Sequence, residues 1–196
     1  MRREARDRRG RAEGMLGRFT ETRLTGAFIV EPEVFEDERG YFASTWCSRE
    51  FGERGLEARV AQCNTSYNKR KGTLRGMHFQ RSPMTEVKLV RCTRGAMYDV
   101  IVDLRPESVT FKEWVAVELT GANLKSLYVP ERFAHGFQTL EDNTEVFYQM
   151  SQYYSPEHQA GVRWDDPAFS IDWPEEKVRT MSERDRSFPD FTEIAW

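Results

Sequence analysis

Gly72-Thr73-Leu74-Arg75-Gly76-Met77-His78-Phe79-Gln80, with Lys88 eight residues further on, is the stretch from which the fold is read. Apolar and polar residues alternate through Met77, His78, Phe79 and Gln80, the period of a β-strand with one face on a core. Met77 and Phe79 then point one way, and His78 and Gln80 the other. A sheet face that presents imidazole, amide, guanidinium and ammonium groups makes a poor core and a good anion site. The combination points to proton chemistry on a negatively charged substrate.

Working outward, short β-type runs continue on both sides. Ala27-Phe28-Ile29-Val30 leads into Pro32, and Lys88-Leu89-Val90-Arg91-Cys92 ends before Gly95. Ala96 to Leu104 is a long β-rich run interrupted by Asp99 and Asp103, and Trp114 to Leu119, Ser126 to Val129 and Glu145 to Met150 follow. Runs this short, separated by turn signals such as Arg94-Gly95, Thr120-Gly121 and Val129-Pro130, predict an all-β sandwich or barrel. One helix is expected over Ser48 to Arg54 with Ser48 as its N-cap. From Asp165 onward Pro167, Pro174 and Pro189 predict a tail that wraps the domain irregularly.

Composition narrows the function classes. The chain has 196 residues, 39% hydrophobic and 31% charged, enough for one domain with a sizeable core. A net charge of −3 provides no global basic field for nucleic acid. No apolar run approaches the roughly 20 residues that span a bilayer. The arginines at the N-terminus precede no hydrophobic segment of a secretory signal, so a cytoplasmic protein is expected. Cys47, Cys63 and Cys92 are odd in number and lack a CxxC spacing, which predicts reduced, mostly buried thiols rather than disulfides or metal ligands. Residues 1–18 stand apart, with Arg2, Arg3, Arg6, Arg8, Arg9, Arg11 and Arg18 against Glu4, Asp7 and Glu13. Interspersed acids and missing aromatics argue against a nucleic-acid or membrane tail. The segment reads as a disordered extension, or as the product of an upstream start codon with Met15 as initiator, before a single domain over residues 19–196.

Of the three histidines, His78 lies on the polar strand face and His135 in Pro130-Glu131-Arg132-Phe133-Ala134-His135-Gly136-Phe137, a turn running into a strand. His158, in Ser155-Pro156-Glu157-His158-Gln159, reads as an exposed loop residue without a role. A catalytic base needs an acid and an orienting group nearby. Tyr148, alternating with Phe147 and Gln149, could donate a proton or simply fill a core. Asp185 would by default be a surface carboxylate. Pattern alone does not bring these residues together.

Taken in order, the motifs resemble the nucleotide-sugar epimerases typified by dTDP-4-dehydrorhamnose 3,5-epimerase. They are Phe35-Glu36-Asp37-Glu38-Arg39-Gly40-Tyr41-Phe42, Gln62-Cys63-Asn64-Thr65-Ser66, Leu74 to Gln80, Lys88 to Arg91, Asp99 to Arg105, Pro130 to Phe137, Tyr148, Tyr153-Tyr154, Arg163 to Pro167 and Ile171 to Pro174. The resemblance runs from about Phe28 to Pro189. It implies a jelly-roll, cupin-like β-sandwich with a few short helices. The implied substrate is a nucleoside-diphosphate 4-keto-6-deoxy-hexose, dTDP-linked as in the typifying enzyme, and the implied reaction is inversion at C3 and C5 without cofactor or metal. In that resemblance His78 matches the base, Asp185 the carboxylate that holds its tautomer, Lys88 the cation beside the developing enolate, and Tyr148 the acid on the opposite face. Arg39, Gln62, Asn64 and Arg75 match positions that hold nucleotide, diphosphate or sugar. Phe35 and Phe42 lie near the base, and His135 close to the sugar. The resemblance also implies a homodimer in which N-terminal strands are exchanged, so that part of Gly26 to Phe42 completes the partner's site.

The sequence departs from that family's pattern at three places: Ser44 stands for Glu, Arg132 for a turn glycine, and Ser82 to Glu86 for a Pro-Pro-His loop. None touches His78, Lys88, Tyr148 or Asp185. Inversion at C3 alone or C5 alone is the alternative outcome on the same residues. A metal-dependent cupin would have only His78, Glu86 and His135 to offer, and a non-catalytic nucleotide-sugar binder would be expected to have lost the base or the acid.

Overall fold

β-Branched and aromatic residues recur at alternate positions along most of the chain, and strands follow them wherever one set can be buried. The computed structural model describes residues 16–192. The Arg-rich stretch up to Met15 lies outside the described residues. Strands β1 (Arg18–Glu21), β2 (Phe28–Glu31), β5 (Gln62–Asn68), β7 (Lys88–Arg94), β10 (Ser126–Val129) and β12 (Thr144–Met150) form one antiparallel sheet in the order β1-β2-β10-β7-β12-β5. Strands β6 (Leu74–Gln80), β8 (Ala96–Asp103), β9 (Trp114–Thr120), β11 (Phe133–Thr139) and β13 (Gln159–Gly161) form the other, in the order β13-β6-β11-β8-β9. Strands β3 (Val34–Asp37) and β4 (Gly40–Ala43) pair only with each other as a hairpin. The expected jelly-roll sandwich is what the chain forms.

Three apolar layers hold it. Val90, Cys92, Leu127 and Val146 of the larger sheet meet Met97, Ile101, Leu119 and Phe137 of the smaller one to make the inner layer. Each such side chain taken fully out of water contributes about 1.5–3 kcal/mol, so this layer contributes substantially to the fold's stability. The outer face of the smaller sheet is covered by the irregular tail, with Val162, Phe169 and Trp173 packed on Leu74, Phe79 and Val100. Helix α1 (Ser48–Glu53) covers the outer face of the larger sheet through Phe51, which packs with Leu16, Val30, Leu89 and Tyr128.

Several expectations are corrected. The N-cap of α1 is Cys47, in extended backbone and without a side-chain cap bond, so Ser48 is the first helical residue. Glu50, buried in the first turn, instead accepts the Leu16 N–H at 3.3 Å. Leu16 is wholly buried and Arg18 begins β1. Asp99 and Asp103 do not break their strand. Both are wholly buried within it, because each finds partners: Asp99 binds His135, and Asp103 accepts from Arg105, Ser108 and Thr110 at 2.6–2.8 Å. Of the thiols only Cys92 is buried, where burial pushes its pKa up to about 11. Cys63 is exposed because it lies on the edge strand β5, between Gln62 and Asn64, which turn inward. Arg132 does occupy a left-handed turn position, at φ 64°, at a steric cost of about 1 kcal/mol, and its guanidinium pairs with Glu107.

Candidate active site

The inner faces of the two sheets carry polar residues at one end of the sandwich, and a cleft opens there. It consists of two adjoining concavities of about 260 and 420 Å³ that share His78, Lys88, Tyr148 and Gln159. His78 enters from β6 in the smaller sheet. Lys88 and Tyr148 enter from neighbouring strands β7 and β12 of the larger sheet, where Tyr148 pairs with Val90 and Lys88 with Met150. Two positions apart across the ladder, those side chains share one face. The imidazole and the phenol therefore occupy opposite walls of one cleft.

The close approach of β6 to β11 depends on glycine. Gly76, at φ 136°, would place a Cβ 2.6 Å from the Gly136 Cα, so neither position tolerates a side chain without moving the strands apart. Beyond that contact His135 stands directly opposite His78 on the ladder. Each histidine has its own carboxylate. His78 Nε2 lies 2.8 Å from Asp185 Oδ1, and His135 Nε2 lies 2.8 Å from Asp99 Oδ1. Asp185 comes from α2 (Glu183–Arg186) in the tail, where the Ser182 hydroxyl accepts its backbone N–H at 3.1 Å and caps the helix.

Burial lowers the pKa of His78, assisted by the Lys88 and His135 charges, against the opposing pull of Asp185. Burial works to raise the Asp185 carboxyl, but its bond to His78, the Gly76 N–H and the Ser182 hydroxyl overcome it and hold the group below the usual carboxylate range. Burial raises the Tyr148 phenol, with Glu86 adding to the rise and Arg75 opposing it. At neutral pH the cleft thus presents an unprotonated imidazole backed by a carboxylate, facing a protonated phenol.

Lys88 is buried and its ammonium pairs with Glu86 at 2.9 Å. Glu86 lies in the loop before β7 and is the last residue of the departing segment Ser82 to Glu86, so that departure does touch Lys88, which corrects the expectation that none would. Gln62, Asn64 and Arg75 all line the cleft, with Gln62 bonded to Asn64 at 3.0 Å and Arg75 to Asn68 at 2.8 Å. Tyr154 of the Tyr153-Tyr154 motif also lines it and donates its N–H to Gln62. Gln80 reaches the cleft wall, but its amide is engaged by Met84, Tyr153 and Ser155 and serves the loops. Phe35, Arg39 and Phe42 are not brought to this cleft. They sit on the β3–β4 hairpin, where Arg39 pairs with Asp37 and Phe42 is 59% exposed. His158 bonds Ser155 in its loop.

Among the described residues no group of three or more His, Cys, Asp or Glu is placed to hold a metal ion. His78, Glu86 and His135 are each engaged by a charged partner, Asp185, Lys88 and Asp99. Nor is any described helix long and apolar enough to cross a membrane.

Comparison with known proteins bears on what this cleft does. The family model described as dTDP-4-dehydrorhamnose 3,5-epimerase matches residues 21–193. An epimerase of that name from Methanothermobacter thermautotrophicus is 49% identical over 173 residues, which cover 87% of this chain and 92% of that one. The crystal structure of the Bacillus anthracis enzyme of that name, with TDP and PPi bound, superposes with a TM-score of 0.86 at 41% identity, covering 89% of this chain and 99% of the other. A dTDP-6-deoxy-D-glucose-3,5-epimerase from Legionella pneumophila, in complex with dTDP-4-keto-L-rhamnose, superposes with a TM-score of 0.84 at 36% identity, covering 88% of this chain and 92% of the other.

Proposed function

The chain belongs to the dTDP-4-dehydrorhamnose 3,5-epimerase family, and from that premise we propose how its own residues invert the two centres of a dTDP-linked 4-keto-6-deoxy-hexose. It is a nucleotide-sugar epimerase. The observation that carries the proposal is the placement of His78 and Tyr148 on opposite walls of one cleft, with the Lys88 ammonium between the sheets beside them.

The C4 ketone acidifies the hydrogens on C3 and C5. His78, with one ring nitrogen held by Asp185, takes such a proton on the other, and the charge passes to the ketone oxygen as an enolate. Lys88 stabilises that oxyanion, a term worth about 3–4 kcal/mol where a single donor of this kind has been removed from an enzyme. Tyr148 returns a proton from the opposite face, which inverts the carbon, and proton exchange with solvent resets both groups. No step transfers hydride or needs a redox partner. Asp185 keeps the imidazole in one tautomer and balances its charge when protonated. Arg75, Gln62 and Asn64 bind the sugar and diphosphate, to which a guanidinium fork is well matched.

Phe35, Arg39 and Phe42 take their place in the same reading through a second subunit. The β3–β4 hairpin projects Tyr41 and Phe42, each 59% exposed, away from the cleft of its own chain, which suits a homodimer in which each hairpin completes the partner's nucleotide site. The enzyme would act in the cytoplasm, where nucleotide sugars are made.

The test is proton NMR of dTDP-4-keto-6-deoxyglucose in D₂O. Loss of both the C3 and C5 proton signals, with product formation, is the expected result. Loss of one signal alone would replace this reading with a single-centre epimerase, and no exchange with binding retained would overturn it.

A further inference from the structure

Gly161, in β13, is the ladder partner of His78, so the position beside the imidazole carries no side chain. That slot is filled from the tail. A Cβ on Gly161 would lie 2.5 Å from Cζ and 2.6 Å from Cε2 of Phe188. The Phe188 ring stands edge-on to the His78 imidazole, with centroids 5.6 Å apart and planes at 72°, the arrangement in which ring edges meet ring faces favourably. It is held on both sides. Three residues before it Asp185 bonds His78, and immediately after it the Pro189 carbonyl accepts the Arg163 N–H at 3.2 Å. The Arg184 guanidinium carbon lies 5.9 Å from the Phe188 ring centroid. Phe188 does not line the cleft where substrate would bind.

We infer that Phe188 is a positioning residue of the epimerisation, its ring filling the space left by Gly161 so that the His78 imidazole is fixed in one orientation and the His78–Asp185 bond is shielded from water. This rests on the reading of His78 as the base. A hydrogen bond between imidazole and carboxylate is stronger where water is excluded, and an imidazole packed against a ring samples fewer orientations. An apolar wall also keeps the free base unprotonated by disfavouring the imidazolium. The groups that face His78 are Asp185 from α2, Lys88 from β7, Glu86 from the loop before it, Tyr148 from β12, His135 from β11 and Arg75 from its own strand, with Arg184 behind the ring. None of them is altered by changing Phe188.

Phe188→Ala, Phe188→Leu and His78→Asn are compared by kcat, KM and the pH dependence of kcat/KM, with proton exchange in D₂O followed alongside. Phe188→Ala is expected to lower kcat by about 10- to 100-fold, as losses of groups that orient an active-site histidine do, with KM unchanged. Its acid limb moves to higher pH, because water admitted beside the imidazole favours the protonated form. Phe188→Leu restores most of kcat by keeping apolar cover. A kcat loss with an unmoved acid limb, or wild-type kinetics, overturns the inference. Should Phe188→Ala fail to fold, Phe188→Leu carries the test through a smaller upward shift of the acid limb, and an unmoved limb then overturns it. His78→Asn separates the premises: normal turnover in that variant removes the base itself, whereas an inactive His78→Asn beside an unaffected Phe188→Ala removes only the role of the ring.

Discussion

Two histidine–aspartate pairs lie side by side in this molecule, and they are built differently. His78–Asp185 and His135–Asp99 have the same 2.8 Å separation, and the two histidines are direct partners on the β6–β11 ladder. His135 meets its carboxylate within the sheet: it pairs with Ile101 on β8, and Asp99 stands two residues along that strand. His78 meets a carboxylate 107 residues away, delivered by a four-residue helix in an irregular tail. Asp99 is wholly buried with its second oxygen unpartnered, whereas Asp185 gathers Gly76 and Ser182 as further donors. The sheet-borne pair is rigid by construction. The tail-borne pair is held by separate elements, the α2 cap and the Phe188 ring, and chemistry that needs one nitrogen aimed at carbon and the other at a charge is proposed for it.

Replacing each histidine would break that comparison most directly. His78→Asn should lower proton exchange by at least about 1,000-fold, the upper range for loss of a general base, with nucleotide-sugar binding kept. His135→Asn should lower turnover by only about 10-fold and raise KM, as expected for a group that contacts substrate without moving its proton. Equal losses in the two variants, measured by NMR exchange in D₂O, would mean that the pairs share the work. Next in size is Tyr148→Phe. It should slow inversion by about 100-fold while deuterium still enters the substrate, because removal needs the base alone. Inversion and exchange falling together would show that the phenol does more than return a proton.

The carboxylates sharpen the contrast further. Asp185→Asn should cost about 10- to 100-fold in kcat, since the amide accepts a hydrogen bond but does not balance the imidazolium. Burial lowers the His78 pKa while Asp185 raises it, so removing the carboxylate charge moves the acid limb of the rate profile to lower pH. A pH profile fixed in position would contradict the assignment of His78 to that limb.

How far these features could be read from the sequence follows from the same difference in construction. Alternation around His78 placed its strand, its inward face and its cleft, because side-chain period on a half-buried strand is dictated locally. The pairing of His78 with Asp185 carried no local signal, and only the order of motifs suggested it. Asp99 did carry a signal that pattern reading treated as an interruption. A carboxylate in the middle of an apolar strand is excluded from water and must find a donor, and the neighbouring strand β11 supplies it in His135. Glu86 carried no such signal, since it lies in the loop before β7, where no side-chain period applies. Phe188 and Gly161 were not legible, since one lies in an irregular tail and the other in a three-residue strand. The hairpin residues Phe35, Arg39 and Phe42 were read as site residues, yet no pattern in one chain shows whose cleft they serve.

Asp103 makes the smallest difference to activity and marks the boundary between the two kinds of carboxylate. It lies in the same strand as Asp99 and is equally buried, but it faces a loop that supplies Arg105, Ser108 and Thr110 rather than a histidine. Burial alone would raise its pKa, and those donors reverse the sign and hold it below the ordinary value. A carboxyl depressed in the folded state stabilises the fold fully above its unfolded pKa of about 3.9 and loses that contribution as pH falls through the folded value. Asp103→Asn should therefore cost about 3 kcal/mol at pH 7, the lower end for breaking a buried charged pair, and leave the kcat of the folded enzyme unchanged. Urea midpoints should separate the two proteins widely at pH 7 and converge as the medium is taken below pH 4. A gap that persists at low pH would assign the loss to packing, and a fall in kcat would show that the loop end of β8 communicates with the cleft end.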